Sequence, residues 1–380
     1  MNAAVAMMRA EVVDDVGRWD AIAPEWDALF ARCPHAAVPT TSTWLRTWWD
    51  IYGPTYAADE DSLRIICVRR AGMLVGVLPL YFRRNRSPFG FGARTLFLLS
   101  TGEVEAEETC AEYLDLLCRL EDRAYCLAAV VETLSGLAWD SIVLRHLPAS
   151  SVLRELADGP SLQGEVAVID AGICPIADLG GGFERYLERM SSKTRYRMRR
   201  SLREADAGHV RFRVADDTNR AAMFDDLRAL HQQHWAQRGE PGCFAAERFL
   251  EFHRRLVAAW GPSGRALVAG VYADDGPIAM LYGFIEHGKY HSYQAGLRRE
   301  SVPGVHSPGV FANLLLMKHV SGDGVRIFDF LRGGSDYKLQ LSTMQGALIH
   351  VNVWRRGVRA RLMRSLDPPL SRIGRRLGLV

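Results

Sequence analysis

Ten residues, Asp329-Phe-Leu-Arg-Gly-Gly-Ser-Asp-Tyr-Lys338, gather two carboxylates, a guanidinium, a phenol and an ammonium into one short stretch. That set suits acyl transfer from a thioester or ester, which needs a deprotonated nucleophile, stabilisation of a tetrahedral oxyanion and a proton for the leaving group. Lys338 is the candidate to stabilise the oxyanion or orient a donor phosphate. Asp329 and Asp336 are candidate bases. Tyr293 or Tyr337 would protonate a leaving thiolate or position the donor, and Arg332 suits an acceptor phosphate or carboxylate through bidentate pairing. The alternative for Asp329 is a structural pair with Arg332, and for Tyr293 a place in the core. His291 and His306 rank second as bases. All but four of the 47 basic residues are arginine, so a lysine inside a candidate site hints that a compact ammonium is wanted there.

A strand, a loop and a helix must position these groups. Large residues alternate from Tyr290 to Gln294 as in a strand, residues 310–320 are apolar at helical spacing, and residues 325–330 read as a short strand. The helix therefore starts just after a strand, near Ser307 and Pro308. Proline suits a first turn, and the N–H groups there, at the positive end of the helix dipole, would make an anion site suited to a pyrophosphate; the alternative is an ordinary strand-to-helix turn. Ser307, Pro308, Gly309 and Val310, with Gly304 in the preceding loop, are the donor-binding candidates. Upstream, Lys193 to Arg203 carries six cations and no acid; Arg195, Arg199 and Arg203 share one helical face that suits phosphates, or else form a solvated linker helix.

The 380 residues suffice for two domains, and a net charge of +3 with 24% charged residues implies neither nucleic-acid nor membrane binding by itself. Seven scattered cysteines without CxxC spacing read as reduced and mostly buried, with zinc and other metals not expected. No apolar run is long enough for a membrane span and residues 1–15 do not read as a signal peptide, so a cytoplasmic location is expected. Helices are predicted over residues 19–30, 45–52, 110–120, 124–134, 183–190, 223–238 and 246–259. Strand hairpins are predicted over 63–82 and 266–286, with further strands at 96–100 and 141–144. The stripe Trp44, Trp48, Trp49 and Tyr52 reads as helix core, and the two hairpins are an internal echo that agrees with two similar domains in tandem. There is no Walker A, GxGxxG in a strand–helix context, HExxH or GxSxG sequence.

Several motifs together carry a family resemblance: Pro39 to Trp49 (PTTSTWLRTWW), Gly76 to Tyr81 (GVLPLY), Cys174 to Leu179 (CPIADL), Ser191 to Arg200 (SSKTRYRMRR), Ser307-Pro-Gly309 and Gly333 to Lys338 (GGSDYK). In this order, over roughly residues 35–350, they resemble the CelD/BcsL-type proteins. These are GNAT-superfamily acyltransferases associated with polysaccharide biosynthesis and related to FemAB-type aminoacyl transferases. The resemblance implies an α/β fold of α+β type with two tandem GNAT-like domains, each a mixed, mostly antiparallel sheet flanked by helices. The implied boundaries are 1–165, a linker with a basic helix at 166–205, a donor-binding domain at 206–354 and a basic tail at 355–380. It also implies a cleft where neighbouring parallel strands splay, and acyl-CoA, most simply acetyl-CoA, as co-substrate. The stretch 298–309 departs from the Arg/Gln-x-x-Gly-x-Gly/Ala loop of many GNAT enzymes, and Ser307-Pro-Gly309 matches the CelD-like form instead. Lys338 matches a lysine that FemAB-type enzymes place near the transferred acyl group. The expected function is transfer of an acyl group to an amine or hydroxyl of a saccharide, envelope or natural-product precursor. The alternatives are a Fem-like ligase using aminoacyl-tRNA, gripped in part by Arg195 and Arg199, or a non-catalytic component of a polysaccharide-synthesis complex.

Overall fold

The computed structural model describes residues 8–83, 93–157, 162, 164–204, 210–298 and 307–357. In chain order they form β1 (Met8–Val13), α1 (Val16–Ala31), α2 (Ser42–Tyr56), β2 (Leu63–Arg70), β3 (Met73–Arg83), β4 (Thr95–Leu98), β5 (Leu117–Cys118), α3 (Arg123–Gly136), β6 (Ser141–Pro148) and β7 (Gly164–Asp178). Then follow α4 (Phe183–Arg189), α5 (Ser192–Glu204), β8 (Arg211–Val214), α6 (Arg220–Ala236), α7 (Glu247–Trp260), β9 (Ala266–Ala273), β10 (Gly276–Glu286) and β11 (Lys289–Leu297). The described chain ends with α8 (Pro308–Gly322), β12 (Ile327–Asp329), α9 (Asp336–Leu341) and β13 (Met344–Arg355). Contacts divide the chain into two compact units. One holds Met1–Val104, Glu108–Gly172 and Ala347–Val380; the other holds Glu105–Glu107 and Ile173–Gly346.

Local chemistry explains most elements. Asp15 caps α1 by accepting from the Arg18 N–H, and the Thr41 hydroxyl caps α2 by accepting from that of Trp44. Ala71 and Gly72 both have positive φ, the two-residue hairpin turn whose twist suits β2 and β3. Trp44, Trp48 and Tyr52 are fully buried, as their helical spacing predicts. One expected helix is absent. Residues 110–120 form a loop with the short β5, because Cys110 (φ 45°) and Tyr113 (φ 64°) hold left-handed conformations that no helix accommodates.

Each unit is a mixed sheet, mostly antiparallel and flanked by helices, as expected. In the first, the strand order is β1-β2-β3-β4-β6-β13, with β4 and β6 the parallel pair. In the second it is β8-β9-β10-β11-β12-β7, with β11 and β12 the parallel pair. The orders correspond strand for strand. Each has an antiparallel hairpin, a further antiparallel strand, a helix (α3 or α8) and then a parallel strand. The closing antiparallel strands are exchanged along the chain: β13 pairs with β6, and β7 pairs with β12. Residues 344–354, expected in the donor-binding domain, thus complete the first sheet from Leu348 onward. Residues 166–205, expected as a linker, include a sheet strand and the two helices α4 and α5.

The first unit buries a carboxylic acid. Glu103 accepts from Trp48 Nε1 and from Thr109 Oγ1 (2.7 Å) through Oε1, and its Oε2 is buried without a protein partner. Burial raises its pKa to about 7, above the ordinary 4.5. The folded state therefore holds this proton more tightly than the unfolded chain. Its stabilising effect is complete below about pH 4.5 and is lost as pH rises through 7. Glu103→Gln keeps the acceptor and removes the titration. Between pH 5 and 8.5 the wild type should lose on the order of 2–4 kcal/mol of unfolding free energy relative to the variant. Urea denaturation at the two pH values measures this, and parallel pH slopes for both proteins would refute it.

In the second unit, successive residues of β10 face opposite layers. Ala279 and Leu281 join a core with α4, α5 and α8 that contains Tyr186, Phe311, Leu314, Phe328 and Phe330. Tyr282 and Phe284 join an aromatic layer under α6 and α7 with Phe224, His253 and Tyr293. At Gly296 of β11, α6 comes so close that a Cβ would lie 2.7 Å from Leu227 O and 3.0 Å from His231 N. Only glycine admits this approach, which brings the histidines of α6 to β11.

Candidate active site

The cleft begins where β11 and β12 part. Their parallel pairing runs from Lys289 with Ile327 to His291 with Asp329 and stops, while β11 continues to Leu297. On its other edge β11 stays paired with β10, but Tyr282 pairs with Gln294 and Gly283 with Ser292, so Tyr293 is the extra residue of a β-bulge. A bulge bends the strand and re-aims a side chain. Beyond β11, Ser307 takes a left-handed conformation (φ 61°) and α8 starts with Pro308 at its first position. Ser307 makes no side-chain cap, so the N–H groups of Gly309 and Val310 lie at a helix start not closed by its own cap residue. Gly309 packs tightly: a Cβ would meet Leu297 Cδ1 at 3.1 Å. Gly304 and His306 lie outside the described residues.

A cavity of about 300 Å³ lies in the second unit, lined by residues of α6, β11 and α9. His231, His234 and Trp235 come from α6, Tyr293 and Gln294 from β11, and Tyr337 and Lys338 from α9. The Trp235 indole N–H donates to His231 Nε2 at 3.0 Å, and burial lowers the His231 pKa to about 4, so this imidazole is neutral at physiological pH. Tyr293 stacks on Phe249, and its hydroxyl lies 3.1 Å from Nε2 of the fully buried His253 on α7. The other ring nitrogen of His253 meets the Tyr282 hydroxyl at 3.3 Å.

The structure separates the other candidates. The Lys338 ammonium donates to the Phe330 and Arg332 carbonyls at 2.7 and 2.9 Å, clamping the loop between β12 and α9 from the cavity wall. Asp329 is buried, and its Oδ1 accepts from the Leu331 N–H at 2.7 Å, which fixes Leu331 at φ 58°. Asp336 is exposed in the first turn of α9. Neither aspartate lines the cavity. Tyr337 does, with burial pushing its phenol up. Arg332 is half-buried and contributes its carbonyl to the Lys338 clamp. Arg195 donates to the Glu188 carbonyl, and Arg199 pairs at the surface with Glu184 (3.3 Å); neither reaches the cavity lining. Of the three histidines of α6 and α7 that went unnoticed in the sequence, His231 and His253 sit among helical core positions and His234 is half-buried near the end of α6. The apolar stripe of α7 (Phe249, Phe252, Leu256, Trp260) absorbs His253 completely. Among the described residues, no group of three or more His, Cys, Asp or Glu is arranged to hold a metal ion.

The span from α5 to α9 holds both the parted strands and the cavity. Residues 192–339 match the family model of the acetyltransferase (GNAT) domain. No curated protein sequence matches the chain. Among solved structures, the chain is similar to FemX, with a TM-score of 0.65 at 11% identity over 91% of this chain and 98% of that one. It is also similar to the C-terminal domain of a putative lysylphosphatidylglycerol synthetase from Agrobacterium fabrum, with a TM-score of 0.50 at 13% identity over 87% and 96%. At these identities the likeness is one of fold. It spans nearly the whole chain, whereas the GNAT model matches only the later part. Among the described residues, no helix is long and apolar enough to cross a membrane.

Proposed function

We propose that the GNAT domain transfers an acyl group, most simply acetyl, from acyl-CoA to a hydroxyl or amine of a saccharide, as in the CelD/BcsL-type proteins of polysaccharide biosynthesis. The observation that carries this reading is the edge of β11 beyond His291, where its pairing with β12 stops among the described residues, leading to the α8 start. An extended pantetheine chain fits against residues 292–297, and its pyrophosphate against the N–H groups of Gly309 and Val310. The cavity supports a sugar acceptor. Three aromatic side chains supply platforms, Gln294, Ser292 and His234 supply hydrogen-bonding groups, and among the described residues no carboxylate lines it to favour a cationic acceptor. In this scheme Tyr293 protonates the leaving thiolate and His234, rather than Asp329 or Asp336, takes the acceptor's proton. Lys338 holds the loop and keeps positive charge beside the developing oxyanion. Such an enzyme would work in the cytoplasm, where acyl-CoA is available.

Calorimetric titration with acetyl-CoA, longer acyl-CoAs and free CoA tests the donor. Saturable binding is expected, and at about 100 times Kd it should add roughly 2.7 kcal/mol of stability. No response to any CoA species would overturn the reading. One observation favours a second donor, aminoacyl-tRNA in a Fem-like reaction: Lys193, Arg197, Arg199 and Arg200 are exposed on α5, a cationic surface suited to nucleic-acid phosphates. RNase-sensitive activity that falls steeply with salt would select it.

A further inference from the structure

His253 offers its two ring nitrogens to two hydroxyls that differ in their surroundings. Tyr282 and His253 are both fully buried, and His253 makes ring contacts with Phe249, Phe252, Tyr282 and Tyr293. Tyr293 lines the cavity. A buried hydroxyl proton without an acceptor costs roughly 1–3 kcal/mol, and the acceptor that Tyr282 has is His253 Nδ1. Tyr282 O–H therefore donates to Nδ1. A neutral imidazole with Nδ1 accepting carries its proton on Nε2. That N–H donates to the Tyr293 oxygen, 3.1 Å away, so the hydroxyl proton of Tyr293 is itself a donor. Burial pushes the His253 pKa down to about 3, so the ring stays neutral across the physiological range.

We infer that His253 is a positioning residue: held as its Nε2–H tautomer by Tyr282, it fixes Tyr293 as the proton donor to the cavity. This rests on the acyl-transfer reading. When the tetrahedral intermediate collapses, the C–S bond breaks with its electron pair passing to sulfur, and the Tyr293 proton passes to that thiolate. The resulting phenolate is stabilised by the Nε2–H bond. It is reprotonated by the proton that the acceptor released as its new bond to the acyl carbon formed. Atoms and charge balance over acyl-CoA plus acceptor giving acylated acceptor plus CoA thiol.

The test needs no substrate. Nitrogen NMR of the full chain labelled in histidine should show His253 as the neutral Nε2–H tautomer between pH 6 and 9. Carbon NMR of labelled tyrosine should then show Tyr293 as about a tenfold weaker acid in His253→Phe, where its phenolate loses the hydrogen bond. His253→Gln, which can accept from Tyr282 and donate to Tyr293, should restore the wild-type titration. A merely structural histidine would give no such rescue. An Nδ1–H tautomer, a protonated ring, or an unchanged Tyr293 titration in His253→Phe would overturn the inference. Failure of the acyl-transfer reading appears separately, as absence of acetyl-CoA binding to a wild type whose tautomer is as stated.

Discussion

Gly309→Asp should weaken binding of acetyl-CoA and of free CoA by about a hundredfold while leaving the protein folded. Gly309 is the second residue of α8, where a carboxylate complements the helix dipole and adds about 0.3–1 kcal/mol of helix stability. The same carboxylate would stand where the donor pyrophosphate is proposed to dock. Like charges about 5 Å apart at an effective dielectric of about 20 repel by roughly 3 kcal/mol, which outweighs the gain to the helix. The new Cβ also meets Leu297 Cδ1 at 3.1 Å, a contact with the tip of a side chain at the end of β11. Gly309→Ala carries the steric part alone and should bind CoA within a few-fold of the wild type. Calorimetry on the three proteins separates charge from shape. Undiminished CoA binding by the aspartate variant would remove the donor from the start of α8.

Lys338→Ala should lower both stability and transfer, the second far more. The ammonium satisfies two carbonyls in a loop that contains Leu331 at φ 58°, a conformation costly for a residue with a Cβ and one that needs an anchor. Charge-assisted hydrogen bonds contribute roughly 1.5–3 kcal/mol each. Since the side chain is only half-buried, solvent screening reduces the pair to about 2 kcal/mol in total, a fall in melting temperature of about 4–8 °C. Transfer should fall by a factor of about 100 or more, because the anchor of the loop that leads into α9, which carries Tyr337, and the positive charge at the cavity wall are lost together. Lys338→Arg keeps the charge, so it should recover most of the stability but not the position of the donor atom. Thermal denaturation and single-turnover acyl transfer distinguish the two effects, and an alanine variant with wild-type transfer would exclude Lys338 from the site.

The elements around the cleft were legible because their signals are local. Alternation over residues 290–294, Pro308 at a helix start and the apolar spacing of residues 310–320 each depend on neighbours within a turn or two, and β11 and α8 form where those signals lie. The same holds for the Thr41 cap and the Trp44–Trp48–Tyr52 stripe. Residues 110–120 misled because their composition is helical, whereas buried polar contacts decide their path: Asp115 accepts from the Leu116 N–H and the Ser151 hydroxyl, and Thr109 reaches Glu103. Long-range pairing overrides propensity there.

Residue types and their spacing were enough to mark the strand β11, the start of α8 and the run of polar residues from Asp329 to Lys338, since the signal of each element is written within a dozen or so consecutive residues. Tertiary structure alone decided which groups share the cavity. Asp329 and Asp336 stand close to Lys338 in sequence, yet one turns inward to hold Leu331 and the other faces outward from α9. His253 lies 29 residues from Tyr282 and 40 from Tyr293, and only the packing of α7 on β10 and β11 brings the three together. The exchange of β7 and β13 is likewise a matter of which edge each strand meets. Helix and turn signals act over a few residues, whereas convergence of side chains from separate elements is set by how the whole sheet and its helices pack.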